Sequence, residues 1–288
     1  MPPHVLLVRC PDATGVVAAV SGVLADLGLN ILDADQHADP DVRRFFMRVA
    51  FTAEDGRRTE VEAGIGALEN RLGLHWQLRW ADRRPRVAIL AGPQTHCLSD
   101  LLWRASTELG GGELGCEPTG VISNHTTGEG LARGFGVGFA HIPLAGDDQP
   151  AREAQEAAVL AELERQRPDL VVLARYMRVL SPRAVAAFAG RIINIHHSFL
   201  PAFAGARPYH RAFERGVKLI GATAHYVTED LDEGPIIAQQ TREVSHRDTV
   251  DDLVRKGRDL ERVVLAEAVR LHLEGRVMVE GRRTVVFD

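Results

Sequence analysis

The spacing of apolar residues changes character at the charged stretch Ala81-Asp82-Arg83-Arg84-Pro85, and this change constrains the fold more than any other feature of the chain. Before it, short apolar runs alternate with amphipathic stretches in a βαββαβ order. Val5 to Val8 read as a buried strand and Asp12 to Gly15 as a turn, and Val16, Val20, Val23, Leu24 and Leu27 recur at helical spacing up to a stop at Gly28. Asn30 to Asp35 read as extended, His37 to Arg43 as a hairpin loop, and Phe45 to Phe51 as a third strand. Val61, Ile65, Leu68 and Leu72 mark one further helix, and Leu74 to Trp80 a fourth strand. This order gives an antiparallel sheet with both helices on one face. A proline in a polar stretch between two periodic regions is a domain boundary, so residues 1–81 and 86–288 are expected to form separate domains.

From Arg86 the chain alternates strands with helices. Val87–Ala91, Val121–Ile122, Phe139–Leu144, Leu170–Ala174 and Arg191–Ile195 carry strands, with helices over 96–107, 151–166 and from the Ser181-Pro182 start. Such alternation predicts a Rossmann-like, mostly parallel sheet covered on both faces, with ligands at the carboxyl ends of its strands. A helix is expected from Thr249 to about Leu273, and a hairpin over 277–287.

The chemistry concentrates where one of these strands ends, at Asn194-Ile195-His196-His197-Ser198. Strand alternation puts Asn194 and His196 on one side of the chain. A carboxamide beside an imidazole can donate to one oxygen, as a carbonyl turning into an oxyanion requires. A second strand, containing Ala222 and Ala224, runs into His225 and the acidic loop Thr228-Glu229-Asp230-Leu231-Asp232-Glu233-Gly234-Pro235. Glu229, Asp230 and Glu233 read as a solvated turn, whereas Asp232 has a role only if the fold brings it beside His196. His196, His197, His210 and His225 match no common zinc spacing, so no metal is expected. Gly110-Gly111-Gly112 lacks the lysine and spacing of a phosphate loop. Cys10, Cys97 and Cys116 are scattered, with no C-x-x-C, and read as reduced, buried thiols. The net charge of −5 argues against a nucleic-acid surface. No apolar run approaches the ~20 residues of a membrane span. The start MPPHVLLVRCPDATG lacks a secretory pattern, so a cytoplasmic protein is expected.

The segments 194–210 (NIHHSFLPAFAGARPYH), 216–239, 173–181 (LARYMRVLS) and 246–262 together resemble the formyltetrahydrofolate-dependent formyltransferase family, and the likeness runs essentially the whole chain. The resemblance implies a catalytic trio of Asn194, His196 and Asp232, with His225, His197 and Ser198 in support. It also implies a folate pocket lined by Tyr176, Met177, Arg178, Val179 and Leu180 and closed by Thr228, Glu229, Asp230 and Leu231. Arg178 would then meet the folate side chain. The first domain, through CPDATGVVAAVSGVLADLGLNILDADQH (10–37), is similar to an ACT domain, a ferredoxin-like module that binds amino acids at a subunit interface. That likeness implies Gly15 and Asn30 as effector contacts, methionine or glycine as effector, and a homo-oligomer.

Within the formyltransferase family the chain is similar to the hydrolytic branch, which splits 10-formyltetrahydrofolate into tetrahydrofolate and formate, the formate serving purine synthesis. Folate is then substrate, with no resident cofactor. The turn Gly92-Pro93-Gln94-Thr95-His96-Cys97-Leu98 replaces the Gly-Ser-rich turn with which the glycinamide ribonucleotide transferases hold a phosphate, and Pro93 lacks the N–H such a turn uses. Where the methionyl-tRNA transferases carry an RNA-binding domain, the hairpin expected over 277–287 follows the long helix, and a second His, His197, stands after the one the resemblance makes catalytic. The competing readings are a transferase with an amine acceptor and a non-catalytic amino-acid sensor. The intact Asn194, His196 and Asp232 count against the second.

Overall fold

The computed structural model describes residues 3–54, 56–146, 148–201 and 208–287. The chain divides into two compact units, one of residues 1–83, 274–280 and 284–288, the other of residues 84–273 and 281–283. The tail expected in the second domain therefore belongs largely to the first. The reason lies in what it covers: Met278, Val285 and Phe287 pack against Val5, Leu7 and Phe46, the apolar side chains on the sheet face opposite the helices. Arg48, nearly fully buried, secures the return of the chain by donating from Nε to Gly275 O at 3.2 Å and from Nη1 to Asp33 Oδ2 at 2.8 Å.

The first unit runs β1 (His4–Pro11), α1 (Val16–Asp26), β2 (Asn30–Asp39), β3 (Arg44–Thr52), α2 (Arg58–Gly66), α3 (Glu69–Leu72) and β4 (His75–Arg79). Its sheet has the order β2-β3-β1-β4 and is antiparallel throughout. Leu6, Val8, Met47, Val49 and Phe51 meet Val16, Val20, Leu24, Val61 and Ile65 in the core beneath the helices. Two local expectations fail. The strand beginning at Asn30 continues to Asp39, because its full length pairs with β3 and only residues 40–43 are left to turn. The helix expected over Val61–Leu72 breaks after Gly66; glycines at 64 and 66 lower helical propensity there, and Leu68 still reaches the core.

The second unit continues with β5 (Arg86–Ala91), α4 (His96–Ala105), β6 (Glu117–Ser123), α5 (Glu129–Gly134), β7 (Phe139–His141), α6 (Gln149–Gln166), β8 (Leu170–Ala174), α7 (Pro182–Ala187), β9 (Ile192–His196), α8 (Pro208–Arg215), β10 (Leu219–Tyr226), β11 (Ile236–Glu243) and α9 (Val250–Leu273); the tail forms β12 (Val277–Glu280) and β13 (Arg283–Val286). The seven strands lie in the order β11-β10-β9-β8-β5-β6-β7. Strands β7, β6, β5, β8 and β9 are parallel, and β10 and β11 join antiparallel. The Ser181-Pro182 start of α7 holds as read, with Ser181 Oγ accepting from Ala184 N at 3.3 Å. At α9 Thr249 and Asp252 cap each other's backbone N–H groups, at 2.9 and 3.2 Å. No helix among the described residues is long and apolar enough to cross a membrane.

Candidate active site

The chain reverses its direction of growth across this sheet. It runs from β5 outward through β6 and β7, then returns to β8 on the other side of β5 and proceeds through β9 to β10. Polar residues gather at the carboxyl ends of β8 and β9 and at the end of β10, where it pairs antiparallel with β9. The register sets His196 opposite Thr223, and Asn194 opposite His225.

His225 fixes the local proton arrangement. Its Nδ1 lies 2.9 Å from Tyr226 O, which can only accept, so Nδ1 carries the proton in the neutral ring. Nε2 is then a lone pair that accepts from Asn194 Nδ2 at 3.2 Å. The second N–H of the Asn194 amide remains to serve another oxygen. Asp232 faces both imidazoles, with Oδ2 3.4 Å from His196 Nε2 and Oδ1 3.8 Å from His225 Nε2. His196 Nδ1 shares a 3.0 Å hydrogen bond with Ser198 Oγ, and the His197 ring stacks on that of His196 with centroids 4.8 Å apart. Burial, above all, lowers the pKa of His196; Asp232 pulls it back up, and His225 and Arg175 push it down again. His225 is lowered chiefly by burial as well.

Asp232 reaches this position through two backbone features. It sits in the left-handed region at φ 57, which an Asp tolerates better than most side chains. Gly234 lets the loop fold back on β10: a Cβ there would stand 1.8 Å from Tyr226 O, and the approach permits the Tyr226 N–H to donate to Pro235 O at 2.9 Å. Glu229 and Asp230 are exposed, in keeping with a solvated turn, while Glu233 pairs with Arg282.

The other residues singled out from the sequence fall around this centre. Tyr176 is buried, in a cluster against which both Leu180 and Val227 pack, so the segment after β8 and the strand leading into the acidic loop share one apolar wall. Met177, Val179 and Leu231 are 62%, 72% and 65% exposed, apolar side chains turned to solvent beside polar groups. Arg178 is half-buried, and Thr228 is exposed with Oγ1 donating to Asp230 O at 3.1 Å. Gly15 precedes α1 at φ 90, and Asn30 opens the edge strand β2; both are exposed. Residues 202–207, part of the segment quoted above, lie outside the described residues.

Two sets of residues escaped the sequence reading. Thr223, fully buried, donates to Ser198 O at 2.9 Å and accepts from Leu200 N at 3.0 Å and Gln239 Nε2 at 2.9 Å, which pins the turn after His196. The second set, His96, Cys97, Arg175, Tyr209 and Glu261, comes from four distant segments. His96, Cys97 and Glu261 place potential metal ligands within 4.8 Å of one another, but Arg175 Nε stands 3.4 Å from Glu261 Oε2, so a cation already balances that carboxylate. Cys10, Cys97 and Cys116 are free and buried.

Residues 85–269 match the family described as Formyl transferase, and residues 4–70 match the ACT domain. The second unit is thus a formyl transferase domain and the first carries an ACT domain. A formyltetrahydrofolate deformylase from Synechocystis sp. is 50% identical over 284 residues, covering 98% of this chain and 97% of its own. The crystal structure of a formyltetrahydrofolate deformylase from Pseudomonas syringae superposes with a TM-score of 0.94 at 41% identity, covering 100% of this chain and 95% of its own. A glycinamide ribonucleotide transformylase from Symbiobacterium toebii matches 71% of this chain and 95% of its own, at TM-score 0.66 and 39% identity. The chain belongs to the formyltetrahydrofolate deformylase family.

Proposed function

We propose that this protein hydrolyses 10-formyltetrahydrofolate to tetrahydrofolate and formate. The observation that supports the reading best is the meeting of Asp232 with His196 and His225 at the strand ends, with an Asn194 N–H left to donate. A water molecule bonds through oxygen to the formyl carbon as it passes a proton to Asp232. The carbonyl π electrons move to the formyl oxygen, where Asn194 Nδ2–H and His196 Nε2–H stabilise the resulting oxyanion. The tetrahedral intermediate collapses, the bond to the folate nitrogen breaks, and that nitrogen takes the proton from Asp232. Formic acid leaves and gives its proton to solvent. Neutral His196 suits this role, because burial disfavours its charged form.

Tyr176 to Leu180 and Thr228 to Leu231 form the walls of the folate pocket, and Arg178 meets the folate side chain. Methionine or glycine binds the first unit at Gly15 and Asn30, at an interface between copies of the chain, and regulates turnover. The enzyme works in the cytoplasm, with no resident cofactor, and its formate feeds purine synthesis.

The test is incubation of the purified protein with 10-formyltetrahydrofolate and no acceptor. Stoichiometric formate is expected; a transferase would stay silent. Removing one oxyanion donor costs about 3–4 kcal/mol of barrier, so Asn194→Ala should slow turnover roughly 100- to 1,000-fold. Asp232→Ala should be at least as severe, with the fold retained because the side chain is 23% exposed. Near-normal turnover by Asp232→Ala removes it from the mechanism.

A further inference from the structure

His225 and Asp232 both depend on the backbone of one residue, Tyr226. The Tyr226 carbonyl lies 2.9 Å from His225 Nδ1 and so fixes which nitrogen of that ring carries the proton. The Tyr226 N–H donates to Pro235 O at 2.9 Å, which closes the acidic loop, and Gly234 passes so near the carbonyl that a Cβ would stand 1.8 Å away. A shift of this backbone therefore moves both the imidazole that receives Asn194 and the loop that delivers Asp232 to His196.

The sheet ladder is irregular at this point. Toward β11 the register slips between Ala224 and His225, so that Ala224 faces Ala238 while His225 faces Ile236. Toward β9 the pairing ends at Tyr226, opposite Ile193. Bulges of this kind re-aim side chains beside active sites and interrupt the local ladder, so anchors outside the ladder gain weight.

The Tyr226 side chain is such an anchor. Strand alternation sends it to the face of the sheet opposite His225. There it meets the last turn of α9: Oη shares a 2.7 Å hydrogen bond with His272 Nδ1, and the two rings meet edge-on with centroids 5.7 Å apart. Both side chains are buried, at 4% and 9% exposure. A hydrogen bond between groups withdrawn from water fixes distance and direction more firmly than ring packing, because breaking it leaves both groups desolvated without that partner.

We propose that His272 is a positioning residue for the hydrolytic reaction: it holds the Tyr226 hydroxyl, and through the Tyr226 backbone it sets the His225 ring and the approach of Asp232 to His196. It acts from the far face of the sheet, through Tyr226. The proposal rests on the hydrolytic reading, and one arm of its test does not.

Tyr226→Phe deletes one hydroxyl, and His272→Leu removes the imidazole while keeping an apolar side chain in its place. About 1 Å of misplacement costs roughly 100-fold and half of that about tenfold, so each variant should lose kcat about tenfold, with KM for 10-formyltetrahydrofolate within about twofold of the wild type. The double variant should be no slower than the slower single, since both remove the same bond. In His272→Asn the side-chain amide reaches the place of Nδ1, and kcat should recover most of the loss. Nitrogen-15 NMR of the imidazole rings is the independent arm: wild-type His225 should be protonated on Nδ1, and in Tyr226→Phe the ring should exchange between both tautomers. Should Tyr226→Phe unfold, His272→Leu and His272→Asn carry the same comparisons. The proposal is overturned by wild-type kcat in either single variant, by a double variant slowed by the product of the two, by an asparagine variant no faster than leucine, or by a His225 tautomer that does not respond. Loss of fold in both single variants overturns it too, because the pair then supports the fold alone. If the wild type releases no formate the hydrolytic reading falls, while the tautomer comparison still decides whether the pair sets the His225 ring.

Discussion

Thr223→Val isolates the contribution of one hydroxyl to the geometry of the site. Valine keeps the shape of threonine but neither donates nor accepts, so the fully buried position changes in polarity alone. In the wild type the hydroxyl makes three hydrogen bonds, to Ser198 O, Leu200 N and Gln239 Nε2. Gln239 keeps a second acceptor in Leu200 O at 3.1 Å, so the substitution strands the buried Leu200 N. A buried group left without a partner costs about 1–3 kcal/mol. Taking an m-value of roughly 3 kcal/mol per M for a unit of this size, the urea midpoint of the second unit should fall by about 0.3–1 M. Thr223→Ser keeps the hydroxyl and loses a methyl group, so it should cost only about 1 kcal/mol. The turn that Thr223 pins carries His196 and Ser198, so the valine variant should also lose kcat with KM nearly unchanged, and serine should restore it. Urea unfolding followed by circular dichroism, paired with formate release, measures both. A valine midpoint within about 0.2 M of the wild type would refute the accounting, because it would mean water or a shifted backbone satisfies Leu200 N at almost no cost.

Two further outcomes are expected. His196 and His225 have folded pKa values below the ordinary histidine value of 6.5, chiefly through burial, so the unfolded chain takes up protons first as pH falls. The stability they contribute is complete above about pH 6.5 and drains away as pH drops toward the folded values. The acid limb of kcat/KM should accordingly lie below 6.5, and a limb centred above that value contradicts neutral His196. Gly234→Ala would set a Cβ 1.8 Å from Tyr226 O, so the acidic loop must lift and carry Asp232 away from His196. A displacement of about 1 Å costs roughly 100-fold in rate, and an alanine variant with wild-type kcat would show that the loop adapts without moving the carboxylate.

The two-layer architecture was legible because periodicity survives in both units. Leu6, Val8, Val16, Val20 and Leu24 are core residues of the first unit, and Leu170 to Ala174 form a strand buried along its whole length. The tail was misassigned because an apolar hairpin does not say which sheet face needs covering. That face, with Val5, Leu7 and Phe46, belongs to strands more than two hundred residues earlier. In the site, Asn194 and His196 could be paired from strand alternation, since both lie on β9. Asp232 could not, because its approach depends on a left-handed backbone at 232 and on a clearance at Gly234 that no spacing encodes. It entered only through family resemblance. Glu261 was invisible for a related reason. On a helix already rich in charge, a glutamate reads as solvated surface until Tyr209, His96 and Arg175 arrive from three other elements to enclose it. A charge that must be desolvated needs all its partners at once, so it can be recognised only after the topology has brought them together. The sequence difference after the first parallel strand, with Pro93 and His96 in place of a glycine-rich turn, is the part of this arrangement that the chain shows openly.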